Sequence, residues 1–191
     1  MIRKMVTIFL VLLIGTAAAA ESPEEIIRNR NDTVRRILDK AGDNVNDATR
    51  AELKDIINGF IDFRELSRLA LGKYWDERTE QEKADFTEVF QKLIRNSSVK
   101  KLGAYKADKI VYEQAEITGD KAYVTTYAHK DKKEVEIIYK MHKLDGEWWV
   151  FDMEIDGAST VRNYRESFYK QIEKNSYADM YNKLVSKLEE E

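Results

Sequence analysis

The 191 residues contain no cysteine, a single proline and only two histidines. Without cysteine there is no disulfide and no thiolate to ligate a metal, so any fold must rest on apolar burial. The near absence of proline leaves predicted helices and strands unbroken, and Pro23 stands where a first helix can use it near its N1 position. His129 and His142 fall at predicted strand ends among lysines and acids, a poor catalytic pair expected to be solvated, with no compact ligand cluster around them. A G-x-S-x-G elbow, a Walker phosphate loop and a dinucleotide glycine fingerprint are all missing, which excludes the standard hydrolase and nucleotide-binding readings. Charge of one sign is not in excess either. The formal net charge is −3 with the signs interspersed, which argues against nucleic acid as a partner and against general adhesion to anionic lipid surfaces.

One long apolar run is present, and it lies at the very start. Arg3 and Lys4 precede Met5 to Ile14, and Gly15-Thr16-Ala17-Ala18-Ala19-Ala20 supplies the small residues a signal peptidase accepts. This is the three-part layout of a secretory signal, and the run is about half the roughly 20 apolar residues a bilayer span needs. The expectation is a signal peptide over 1–20, cut before Glu21, and a mature chain over 21–191 forming one domain. That chain would hold 30 basic and 35 acidic residues, a net charge of −5.

The first part of the mature chain reads as helical. From Ser22 to Lys40, Ile26, Ile27, Val34, Ile37 and Leu38 recur at helical spacing behind a Ser22 cap. Asn46 to Asn58 repeats the pattern and Gly59 breaks it; Ile61, Phe63, Leu66, Leu69, Ala70 and Leu71 form a third stripe that stops at Gly72-Lys73-Tyr74-Trp75. Thr79-Glu80-Gln81-Glu82 is a capping box for a fourth helix with Phe86, Val89, Phe90, Leu93 and Ile94 on its buried face.

After Gly103 the period shortens to two. Lys109–Ile117, Ala122–Lys130, Lys133–Leu144 and Glu147–Ile155 are predicted as four antiparallel strands joined by tight turns, with helices following from Ser159 to about Glu173 and from Tyr177 to Leu188. The fold class is therefore α+β, with about six helices gathered against a four-stranded curved sheet. Val135, Ile137, Tyr139 and Met141 mark its inward face. Either Val150 and Asp152 or Phe151 and Met153 share that face, depending on the length of the Asp145-Gly146 turn, because one residue of register flips every side chain.

Asp152 is the one acid inside an apolar strand. Buried, it could serve as a general acid or base, with Tyr139 as the nearest candidate for a second polar group; the plainer reading is a structural carboxylate held by a tyrosine, by Lys140 or by backbone amides. Asp156-Gly157-Ala158-Ser159 reads as a turn at Gly157 with Ser159 capping the next helix.

Two groups of segments carry a family resemblance. Ile61-Asp62-Phe63-Arg64-Glu65-Leu66, Ala70-Leu71-Gly72-Lys73-Tyr74-Trp75 and Thr79-x-x-Glu82 leading to Phe86-x-x-x-Phe90-x-x-Leu93 form a helical signature, while Trp148-x-Val150-Phe151-Asp152, Asp156-Gly157-x-Ser159, Asn163-Tyr164-Arg165 and Phe168 form a strand-to-helix signature. In order and spacing they resemble the MlaC-like, or toluene-tolerance, family of periplasmic phospholipid carriers. The resemblance implies a nuclear-transport-factor-2-like cone whose interior accepts acyl chains. It also implies a shuttle and no catalyst or cofactor, passing glycerophospholipid between an outer-membrane lipoprotein complex and an inner-membrane ABC transporter with an MCE-domain subunit, so as to maintain outer-membrane lipid asymmetry. Some relatives are associated with hopanoids, so another apolar lipid is an alternative cargo. By analogy with the family and by facing periodicity, the expected pocket lining is Leu69, Phe86, Phe90, Leu93, Leu102, Val124, Thr126, Ile137, Tyr139 and Val150, with Tyr105 and Tyr164 toward the mouth.

Overall fold

The computed structural model describes residues 21–42, 44–100 and 107–190. The expected leader and two expected pocket residues, Leu102 and Tyr105, lie outside them. Among the described residues there are six α-helices and six strands. The helices are α1 (Pro23–Ala41), α2 (Asp47–Asn58), α3 (Phe63–Leu71), α4 (Glu80–Lys100), α5 (Thr160–Lys174) and α6 (Tyr177–Glu189), with one 3-10 turn at Gly72–Tyr74. The strands are β1 (Lys109–Tyr112), β2 (Glu116–Thr118), β3 (Lys121–Lys130), β4 (Lys133–Leu144), β5 (Glu147–Ile155) and β6 (Ala158–Ser159).

Local chemistry accounts for the helix ends. Ser22 accepts from the Glu25 amide while Glu25 reaches back to the Ser22 amide, and Pro23 occupies the first turn, where its missing N–H costs nothing. Thr79 and Glu82 close the same reciprocal box at α4, at 2.8 and 3.2 Å. Asn46, Asp62, Ser159 and Ser176 cap α2, α3, α5 and α6 with their side-chain oxygens.

The helices form two groups. α3, α4, α5 and α6 enclose Leu66, Leu71, Phe86, Phe90, Leu93, Phe168, Met180 and Leu184, a closed core in which Phe86, Phe90, Tyr164 and Phe168 meet at ring separations of 4.7 to 5.6 Å. α1 instead lies over the sheet: Ile27 packs with Phe60, Ala122, Val124, Tyr139, Met141, Trp148 and Val150, while its next turns set Val34 and Leu38 against Leu53 and Ile57 of α2.

The sheet is antiparallel in the order β1-β3-β4-β5-β6, with β2 also on β3. Six strands replace the expected four. The stretch Lys109–Ile117 is divided because one extra residue lies in the Glu113–Ala115 segment: Tyr112 pairs with Thr126 but Glu116 pairs with Tyr123. Ala158 and Ser159 pair with Ile155 and Glu154 as a sixth strand, and Ser159 also caps α5, which begins at Thr160. A second interruption lies in β5. The Asp145-Gly146 turn is a two-residue loop with positive φ at both positions, and it sets Met141 opposite Val150; Lys140, however, stands opposite Asp152, leaving Phe151 as the residue of a bulge. The open choice of register thus resolves by halves. Trp148 and Val150 face α1 before the bulge, Met153 and Ile155 face inward beyond it, and Asp152 is turned to the other side. β5 gains a further neighbour from the helical half, since the Val150 amide donates to Phe60 O and its carbonyl accepts from the Asp62 amide.

Candidate functional site

Every strand that walls the inward face past the two interruptions contributes to one apolar cavity of about 110 Å³. Its sheet side is Ile110, Thr126, Ala128, Ile137, Tyr139, Met153 and Ile155, and its helix side is Asn31 of α1, Ile57 of α2 and Ser98 of α4. Bulges sharpen twist and bend a sheet, and the strand walls of this cavity all lie past the two interruptions.

The few polar groups in the wall are satisfied by their neighbours. Asn31 donates through Nδ2 to the Tyr112 hydroxyl at 3.2 Å, Thr126 Oγ1 donates to the Ile137 carbonyl at 3.2 Å, and Ser98 donates to the Arg95 carbonyl at 2.8 Å while accepting from Asn58 Nδ2 at 3.0 Å. Burial pushes the Tyr112 phenol above its ordinary range, the Asn31 bond and nearby arginines opposing. With its dipoles spent on the protein, the cavity offers hydrocarbon to a ligand. It has neither the charge nor the free hydrogen-bonding groups that would hold a polar substrate. A larger cavity of about 340 Å³ lies at the other end of α1, but Glu21, Asn29, Arg30 and Glu147 share its walls with Phe60, Trp148 and Trp149. Of the two, only the first has a lining without charged residues.

The expected pocket residues are distributed over three places. Thr126, Ile137 and Tyr139 line the apolar cavity. Val124 and Val150 are fully buried beside it, under Ile27 and Phe60. Phe86, Phe90 and Leu93, with Leu69 and Tyr164 packed against them, belong to the closed core between α3, α4, α5 and α6. Asn31, Ile57, Ser98, Ile110, Ala128, Met153 and Ile155 were not anticipated. Asn31 carried a readable signal: it sits on the buried stripe of α1 with Ile27, Val34 and Leu38, where a polar residue is out of place unless something there needs it.

Asp152 is a structural carboxylate. Only 4% exposed, it accepts from Ser159 Oγ at 2.7 Å and from the Val161 amide at 3.0 Å, and it pairs with Lys140 Nζ at 3.2 Å, tying β5 to the first turn of α5. Burial opposes the Lys140 charge, but bonds to Glu154 and Asp152 prevail and raise its pKa, while Lys140 lowers that of Glu154. Tyr139 points to the opposite face of the sheet, so the two groups of the enzyme reading are not brought together. Gly157 and Ser159 do what the turn and cap reading expects, with φ of 76° at Gly157 and the Arg162 amide 3.0 Å from Ser159 Oγ.

The histidines depart from the solvated expectation. His142 is half-buried, with Nε2 3.0 Å from Asp62 Oδ2 and its ring edge-on to Phe151 at 5.4 Å; His129 lies 3.3 Å from Glu134. Asp62 therefore has two tasks, capping α3 through Oδ1 and holding β4 through Oδ2. Among the described residues no group of three His, Asp or Glu could hold a metal ion.

The chain matches the model of a protein family described as MlaC protein over residues 28–189. It belongs to the MlaC family. Two motif acids of this MlaC-family chain serve as joints, since Asp62 and Asp152 fasten helices to strands, and the motif residue Trp75 is buried with Arg64 and Lys83 at 5.8 and 5.7 Å from its ring. Among solved structures, the phospholipid-binding protein from Ralstonia solanacearum, in complex with a phospholipid, is 18% identical with a TM-score of 0.76, covering 90% of this chain and 98% of its own. No curated protein matches the chain.

Proposed function

We propose that this MlaC-family chain is a phospholipid-binding shuttle that takes the acyl chains of a glycerophospholipid into the cavity between α1 and the sheet. The observation that carries the reading is that cavity: apolar, walled by both layers, and free of unsatisfied polar groups among its described lining residues. Family membership and a structurally similar protein that binds a phospholipid support it. The physical need is large. Carrying two chains of about 30 methylenes through water uncovered would cost on the order of 20 kcal/mol at about 0.8 kcal/mol per methylene.

A volume of about 110 Å³ is below the roughly 300–1,000 Å³ typical of ligand sites, so the reading requires α1 and the sheet to part when lipid enters. In the same reading residues 1–20 are a cleaved signal, 21–191 act as one lipid-binding domain with a nuclear-transport-factor-2-like cone, and the chain works in the periplasm. It would exchange cargo there with an inner-membrane ABC transporter carrying an MCE-domain subunit and with an outer-membrane lipoprotein complex, in the upkeep of outer-membrane lipid asymmetry. Leu69, Phe86, Phe90, Leu93 and Tyr164 would join the lining only in the opened state, and Leu102 and Tyr105 are proposed as further lipid contacts.

The experiment is native mass spectrometry of the mature protein purified from its compartment without detergent, followed by lipid extraction. One stoichiometric glycerophospholipid mass is expected. A lipid-free mass that also refuses added phospholipid overturns the proposal, and a hopanoid mass replaces the cargo.

A further inference from the structure

The cavity has a closed end and an open one. Along β3 exposure rises from Val124 and Thr126, fully buried, through Ala128 to Lys130, and along β4 it rises from Met141 through Tyr139 and Ile137 to Lys133. Trp148, Val150 and Phe60 fill the opposite end. A ligand with apolar tails and one polar end must therefore leave that end beside the β3–β4 hairpin.

Strand alternation sets Lys130 on the same face as Thr126 and Ala128, and its cross-strand partner Lys133 on the same face as Val135 and Ile137. Two ammonium groups stand there, Lys130 two residues, roughly 7 Å, beyond Ala128 and Lys133 four residues, roughly 13 Å, beyond Ile137. Neither has a carboxylate within ion-pair distance among the described residues. Of the acids at this end, Asp108 is occupied by the Asp131 amide in the hairpin turn at 2.9 Å, Asp156 accepts from the Glu136 amide at 3.0 Å, and Glu134 lies on the outer face against His129.

We propose that Lys130 and Lys133 form the subsite for the phosphate of the lipid headgroup, an inference that rests on the carrier reading above. Lysines act as point charges on flexible stems and make no planar fork, so this subsite attracts a phosphate without specifying what is attached to it. Cargo is selected for having an anionic phosphate, not for the alcohol it carries.

The test uses the mature chain stripped of lipid and titrated with three probes: dioctanoyl phosphatidylglycerol below its micelle threshold, dioctanoylglycerol with the same tails and no phosphate, and inorganic phosphate. Both lysines are exposed, so the double variant Lys130→Gln/Lys133→Gln should fold; Lys143→Gln at the far end of β4 is the control. The double variant is expected to weaken phosphatidylglycerol binding roughly three- to tenfold at low salt, with the difference shrinking as salt rises, and to leave dioctanoylglycerol unchanged. Equal affinities for double variant and wild type, or equal losses for both lipids, overturn the subsite. Tight binding of inorganic phosphate alone overturns it as a headgroup site. A wild type that binds neither lipid overturns the carrier reading itself.

Discussion

Met153 stands opposite Tyr139 across β5 and β4, whereas Val150, three residues earlier, stands opposite Met141, two residues later. The single extra residue, Phe151, reverses which side chains of β5 face α1. On the other flank of β3 the segment between Tyr112 and Glu116 does the same, so the inward set passes from Ile110 and Tyr112 to Ala115. The strand walls of the apolar cavity all lie on one side of these two interruptions.

Replacing the small residue at the cavity floor should separate binding from folding. Ala128→Phe puts a ring into the space left by Thr126, Ile137 and Met153, and overpacking there costs at most about 3 kcal/mol. The expected result is folded protein, by circular dichroism, whose co-purified lipid falls well below one per chain; full lipid occupancy would place the ligand elsewhere.

Asp152→Asn should act on stability and not on lipid. An amide offers one oxygen and two donors where the carboxylate met three donors, which leaves an N–H facing Lys140, Ser159 or the Val161 amide. A loss of about 2–4 kcal/mol in urea unfolding is expected, with unchanged lipid per folded molecule. A large loss of binding without a loss of stability would reopen a direct role for this carboxylate.

These two residues also show how far the amino-acid pattern reaches. Caps at Ser22, Thr79 and Ser159 and the helical stripes along the chain are local, and all six helices could be read from them. The bulge at Phe151 is not local: it depends on how β4 and β5 pair, and nothing in Trp148-Trp149-Val150-Phe151 distinguishes the extra residue from its neighbours. The same holds for lining. Phe86 and Phe90 show which face of α4 is buried but not that α5 and α6 cover it, so expected cavity residues became a closed helical core. Ala128 and Ser98, too small to stand out in any hydrophobic pattern, are part of the wall.

Gly72→Ala should cost more than Gly119→Ala. Both glycines have positive φ, 50° and 58°, where an alanine is strained. A Cβ at Gly119 meets nothing within 4 Å, but at Gly72 it lands on the Tyr169 hydroxyl, which accepts from the Lys73 amide at 2.8 Å. Thermal denaturation of the two variants should show the larger drop for Gly72→Ala, and equal drops would mean that α5 yields without cost.

An alkaline limb should trace to Tyr177. Burial and nearby Glu82 push its phenol up to about 12, against the Arg78 guanidinium 4.5 Å from its ring. A folded-state pKa raised above the unfolded value of about 10 gives stability that is complete below pH 10 and lost as pH climbs toward 12. Stability against pH should fall through that window in the wild type and more gently in Tyr177→Phe; parallel curves would contradict the assignment.

The main-chain bonds between Val150 and the Phe60–Asp62 segment join parts of the chain about 90 residues apart. They bear on when the protein can finish folding as well as on its shape. Ile27 has no surface to cover until β3 and β4 exist, and the cap residue of α3 lacks its His142 partner until then. Closing so long a loop precedes any reward, so topology of this kind folds slowly and late. A nascent chain emerging from its N-terminus would stay uncommitted until the last third was available, so its release from synthesis, and not its first helices, sets when the fold is complete.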